Sequence, residues 1–138
     1  MCNNNNNCNN CSCFTDTLCT IVKLQKQGQC IDSTLTTCDR PYLGIAPTSA
    51  FNTRPISLYT CPGNTLWTMP YTLNGEDGTS TVFRIEAVED CCATFRVLAP
   101  NPDTTSTFPY VSTESFFTIN LNCLGSLRCL PDTFIPCI

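Results

Sequence analysis

Thr81-Val82-Phe83-Arg84-Ile85-Glu86-Ala87-Val88, then Glu89-Asp90, then Cys91-Cys92-Ala93-Thr94-Phe95-Arg96-Val97-Leu98 is the stretch that decides how this chain folds. Phe83, Ile85 and Ala87 alternate with Arg84 and Glu86, the period of two that gives a strand one face toward a core and one toward water. Glu89-Asp90 interrupts the run with turn-forming residues and a second apolar run follows at once, so the spacing predicts a β-hairpin.

The same pattern extends outward from the hairpin. Tyr42 to Ala46, Pro55 to Thr60, Leu66 to Tyr71, Ser115 to Asn122 and Leu127 to Leu130 read as further short strands, separated by Pro, Gly, Asn and Asp. Phe117, Ile119 and Leu121 predict an inward face that continues to Cys123, and the abundant Thr suits a pleated, half-exposed surface. Strands of this length and spacing predict an all-β domain, a sandwich or jelly-roll-like single domain, rather than a parallel α/β sheet. Upstream, Leu18, Ile21, Val22 and Gln25 recur at helical spacing between Thr15-Asp16-Thr17 and Gly28, which predicts a short N-terminal helix over about 16–27. Lys23 and Lys26 fall near its C-terminal end, where the helix dipole favours cations. Residues 1–13 hold seven Asn and four Cys with nothing apolar after Met1, and read as a flexible Cys/Asn-rich arm. The globular domain then spans 14–138, with its β part from about 38 onward.

Composition bounds the function. A chain of 138 residues buries roughly 68% of its unfolded surface and builds an ordinary core without covalent staples. Charged residues make up 13%, against roughly 25% in an average soluble domain, so little repulsion keeps copies apart. The net charge of −4 with only 7 Lys+Arg argues against a nucleic-acid partner. No apolar run approaches the roughly 20 residues of a membrane helix. Without a histidine there is no imidazole base or metal ligand, and nothing resembles a Cys–His pair, a GxSxG elbow or a phosphate-binding glycine loop. The carboxylates sit mostly at predicted turns and caps. The chain reads as a non-enzyme that needs no cofactor.

The chemistry therefore lies in 13 cysteines: Cys2, Cys8, Cys11, Cys13, Cys19, Cys30, Cys38, Cys61, Cys91, Cys92, Cys123, Cys129 and Cys137. An odd number cannot close within one chain, and a leftover thiol points to pairing between chains. Cys8-Asn9-Asn10-Cys11-Ser12-Cys13, with Cys2, has thiolate spacing for a tetrahedral metal, but all four ligands lie on one arm, so disulfide formation is the preferred reading and no metal is expected. A disulfide requires Cα atoms about 4.4–6.8 Å apart, a condition that a tether samples more readily than a rigid surface. Ten extended residues reach about 33 Å. Cys2, Cys8, Cys11 and Cys13 are thus crosslink candidates between subunits. Cys137, near the C-terminus, is another. Cys91 and Cys92 join them: on a strand, neighbours point to opposite faces, leaving one sulfur outward, whereas in a loop neither has a set direction. Cys123, at the end of its apolar face, reads as a core thiol or internal disulfide, and Cys38, Cys61 and Cys129 are placed in the same group. The N-terminus lacks the features of a signal peptide, while the cysteine density points to oxidising surroundings. Together these describe a protein made reduced and oxidised later.

Five ordered blocks carry a resemblance. Cys38-Asp39-Arg40-Pro41-Tyr42-Leu43-Gly44, Asn52-Thr53-Arg54-Pro55-Ile56-Ser57-Leu58-Tyr59-Thr60, Phe83 to Asp90, Cys92 to Leu98, and Phe117 to Cys123 through Cys129-Leu130 resemble successive motifs of the CotY/CotZ/ExsY family of Bacillus spore coat and exosporium proteins. The resemblance covers about residues 36 to 130. It implies a structural protein made in the mother-cell cytoplasm and placed at the spore surface, in the outer coat, crust or exosporium. It further implies self-association into hexamers that extend as two-dimensional disulfide-crosslinked lattices, with paralogous coat proteins as further partners. The arm departs from the family in being Asn-rich, and Leu124-Gly125-Ser126 stands where many members have cysteine. Two alternatives stay open: a subunit of a disulfide-linked spore-surface fibre or appendage, and a thiolate metal-binding module. Arg54 and Arg96, inside the matching motifs, read equally as structural ion pairs or subunit contacts.

Overall fold

The computed structural model describes residues 12–27, 51–136 and 138. Among the described residues, one helix, α1 (Ser12–Gln27), precedes eight strands: β1 (Ile56–Thr60), β2 (Thr65–Leu66), β3 (Met69–Leu73), β4 (Glu76–Ser80), β5 (Phe83–Glu89), β6 (Cys92–Pro100), β7 (Tyr110–Asn120) and β8 (Leu124–Cys129). A single 3-10 turn, η1 (Leu121–Cys123), links β7 to β8. The sheet runs β2-β1-β5-β6-β7, with β8 on the other edge of β1, while β3 and β4 form a separate hairpin. Every pairing among the described residues is antiparallel. The fold is all-β with a short N-terminal helix, as the alternation predicts. The expected strand Tyr42–Ala46 lies outside the described residues.

Phe83 and Ile85 face the core as expected, but Ala87 is exposed and Val88 is buried in its place. The cause is a β-bulge between Ile85 and Ala87, where one extra residue shifts the inward phase. The run predicted over Leu66–Tyr71 divides into β2 and β3. Strand β4, spelled Glu-Asp-Gly-Thr-Ser, has no apolar alternation to announce it. Its signal is instead the turn Asn74-Gly75, whose positive φ values of 53° and 81° are those of an Asn-Gly hairpin turn.

Helix α1 begins at Ser12, earlier than the predicted 16, so Cys13 belongs to its first turn rather than to the arm. The hydroxyls of Thr17 and Thr20 donate back to the carbonyls of Cys13 and Asp16, four residues earlier, which lets them sit inside a helix. Leu18, Ile21 and Val22 pack on the sheet with Phe83, Ile85 and Phe95. The aromatic centre is Phe83, Phe95 and Phe117, with Phe117 edge-on to Phe83 at 4.8 Å and stacked on Phe95 at 5.5 Å. Gln25, also buried, donates to the Ile85 carbonyl at 2.8 Å and accepts from the Arg54 backbone N–H at 3.2 Å, fixing the far end of α1.

Candidate crosslinking surface

The β5–β6 hairpin closes on Asp90 and Cys91, with Glu89 paired to Cys92. Asp90 takes φ 52°, a left-handed conformation that a short polar side chain tolerates. The turn falls one residue later than the alternation predicts. Cys91 therefore occupies the turn and packs against the core, whereas Cys92 opens β6 and is exposed. The two residues differ in environment because one lies in the turn and the other on the strand. Cys19 and Cys91 are each disulfide-bonded.

Several elements meet at this turn. The Leu121 N–H donates to the Cys91 carbonyl at 2.7 Å, Cys92 pairs with Asn120, and Thr15 of α1 donates its hydroxyl to the Asp90 carbonyl at 3.3 Å. Two residues beyond Leu121, the Cys123 carbonyl accepts from the Cys61 N–H at 2.9 Å. The first turn of α1, the hairpin tip, η1 and the end of β1 thus collect Cys13, Cys61, Cys91, Cys92 and Cys123 at one end of the domain. Cys129 pairs with Ile56 at the other end of β1.

Cys13, Cys61, Cys92, Cys123 and Cys129 are exposed free thiols. The core-thiol alternative for Cys61, Cys123 and Cys129 is thereby corrected. For Cys123 the reason is η1, which breaks the period of two and gives the inward positions to Leu121 and Leu124. Cys61 and Cys129 stand at strand ends. Cys2, Cys8, Cys11, Cys30, Cys38 and Cys137 lie outside the described residues. Among the described residues no group of three or more His, Cys, Asp or Glu could hold a metal ion.

Both arginines singled out from the sequence form ion pairs. Arg54 meets Asp132 through two bonds, 2.7 Å from Nε to Oδ1 and 3.0 Å from Nη2 to Oδ2. That bond holds the Asp132 carboxyl below the usual carboxylate range and pushes the Arg54 guanidinium up. Next to it, Asn52 donates from Nδ2 to the Ile135 carbonyl at 2.7 Å and accepts the Ile135 N–H at 2.9 Å, while Thr53 bridges to Thr133. Asn52-Thr53-Arg54 is a clamp on the C-terminal segment, a role that sequence spacing gave no means of finding. Arg96 binds Glu86 at 3.0 Å, Ser112 Oγ at 2.9 Å and the Thr113 carbonyl at 3.0 Å, and lies 4.5 Å over the ring of Phe116.

Among the described residues, a largely hydrocarbon core underlies a β domain whose free thiols are exposed. The family model for spore coat protein Z matches residues 1–111, and the chain belongs to that family. Its place is therefore the spore surface. No curated protein and no solved structure matches it.

Proposed function

We propose that this protein is a building block of the spore surface that self-assembles into hexameric rings, which tile a two-dimensional sheet locked by disulfides between subunits. The supporting observation is the distribution of sulfur: among the described residues five thiols are exposed, and the one buried core cysteine is Cys19. Thiols at the surface add little to the fold and are available to a neighbour. Cys13 and Cys92 are the described members of the crosslinking set with exposed free thiols, joined by Cys2, Cys8, Cys11 and Cys137 from the sequence. Cys91, already disulfide-bonded, is the weakest member. The low charge density lets copies approach, and one closed contact combined with a second repeated one generates a planar array. Paralogous coat proteins are natural further partners, and the role requires no catalysis.

Electron microscopy of the purified, oxidised protein with and without reductant tests this reading. Hexagonal sheets that loosen on reduction are expected. A persistent monomer at high concentration would overturn it, and filaments would replace it with the fibre alternative.

A further inference from the structure

Among the described residues, Cys61 and Cys123 are two exposed thiols whose backbones are bonded to each other. Thr60 pairs with Leu124 in the β1–β8 ladder, and one step further the Cys61 N–H donates to the Cys123 carbonyl at 2.9 Å. A backbone bond of this length draws the two residues into the same neighbourhood as the roughly 4.4–6.8 Å between Cα atoms that a disulfide spans. Both are free and exposed. The Cys61 sulfur has a defined resting place. The ladder has an irregularity between Tyr59 and Thr60, with Gly125 as the extra residue on β8. The Cys61 sulfur occupies the space over Gly125, only 2.6 Å from where a Cβ on that residue would lie. Glycine is the residue that leaves this space open.

We propose that Cys61 and Cys123 are an intrachain dithiol–disulfide couple, with Gly125 as the resting niche of the Cys61 sulfur in the reduced form. Closure requires that sulfur to turn out of the niche toward Cys123. The oxidant is a low-molecular-weight disulfide. One thiolate attacks it, forming a mixed disulfide and releasing one small thiol. The second thiolate then displaces the other small thiol, forming the Cys61–Cys123 bond. Two protein thiols lose two electrons and two protons, and the small disulfide gains both pairs as two thiols. The closed couple removes two thiols from the exposed set, so it opposes crosslinking between chains. It does not depend on assembly into a lattice.

The test mixes equal amounts of full-length 14N and 15N protein, oxidises the mixture with a small-molecule disulfide, and locates the linked residues by tandem mass spectrometry. Cys61–Cys123 links are expected almost entirely between fragments of the same isotope, whether or not mixed-isotope links appear elsewhere. Equal same-isotope and mixed-isotope Cys61–Cys123 links, or small-thiol adducts on both cysteines without a link, would overturn the couple. Failure of the lattice reading has a different signature, the absence of mixed-isotope links at every cysteine. Gly125→Ala supplies a second measurement: a Cβ displaces only the tip of a flexible side chain, so the fold is retained and closure is expected to be several-fold faster. Unchanged or slower closure would overturn the niche.

Discussion

Arg84 and Arg96 stand directly opposite each other across the β5–β6 ladder, and a single oxygen of Glu86 holds both, 2.8 Å from Arg84 Nη1 and 3.0 Å from Arg96 Nε. Like charges facing across a ladder repel, so this register is tolerable only with the carboxylate between them. The Arg84 side chain is 3% exposed and further tied to Thr53 Oγ1 at 3.0 Å. Removing the acid strands a buried guanidinium beside a second cation. Glu86→Ala is expected to lower stability by about 3 kcal/mol, the scale for breaking a buried pair from one side. The check is urea unfolding, where the midpoint should fall with an unchanged slope.

Asn52 satisfies both backbone groups of buried Ile135. Asn52→Ala would leave that N–H and C=O without partners, at a cost of about 1–3 kcal/mol for each group kept from water. Amide hydrogen exchange over Thr133 to Ile135 should accelerate well before exchange in β5 and β6. Equal acceleration throughout would count against a local clamp.

The Arg54–Asp132 bridge gives an acid dependence. Since the Asp132 carboxyl is depressed in the folded state, its contribution is complete above the ordinary carboxylate value and is lost as pH falls through the lower, folded value. Side chains 44% and 37% exposed limit the effect to no more than about 1 kcal/mol. Comparing wild type with Asp132→Asn from neutral pH down into the acid range should show a stability gap that narrows and closes. A gap independent of pH would mean that the bridge contributes nothing.

Reduction should separate fold from assembly. The apolar core of α1, β1, β5 and β6 is hydrocarbon apart from Cys19, with Cys91 at its margin. Mild reductant is expected to leave the β-type circular dichroism spectrum at room temperature while lowering the thermal midpoint, because losing a disulfide at Cys19 or Cys91 costs about 2–4 kcal/mol. Loss of the β spectrum would show that sulfur, not packing, holds the sheet.

The regular strands were legible because burial imposes a period of two on Phe83 and Ile85, and the helix because Leu18, Ile21, Val22 and Gln25 share one face. The failures fall where the backbone leaves those periods: the bulge that exposes Ala87, the 3-10 turn that turns Cys123 outward, and β4, which a hairpin turn rather than apolar residues specifies. The odd cysteine count pointed outward from the start. The meeting of Cys61 with Cys123 did not, because 62 residues separate them and only the β1–β8 register joins them.

Helix α1 and strand β1 both run lengthwise. Thr15, near the start of α1, touches the hairpin tip, while Gln25, near its end, touches Arg54 beside the clamp on Ile135. The chain thus enters the helix at one extremity and is held near its C-terminus at the other. Such a molecule has a direction, like an arrow. A bond from the residues before Ser12 on one copy to the clamped extremity of the next would join unlike surfaces. Head-to-tail contacts of that kind repeat without self-limiting, closing when the rotation between copies divides a full turn and running on when it does not. A few degrees at that joint would then decide between a ring and a filament.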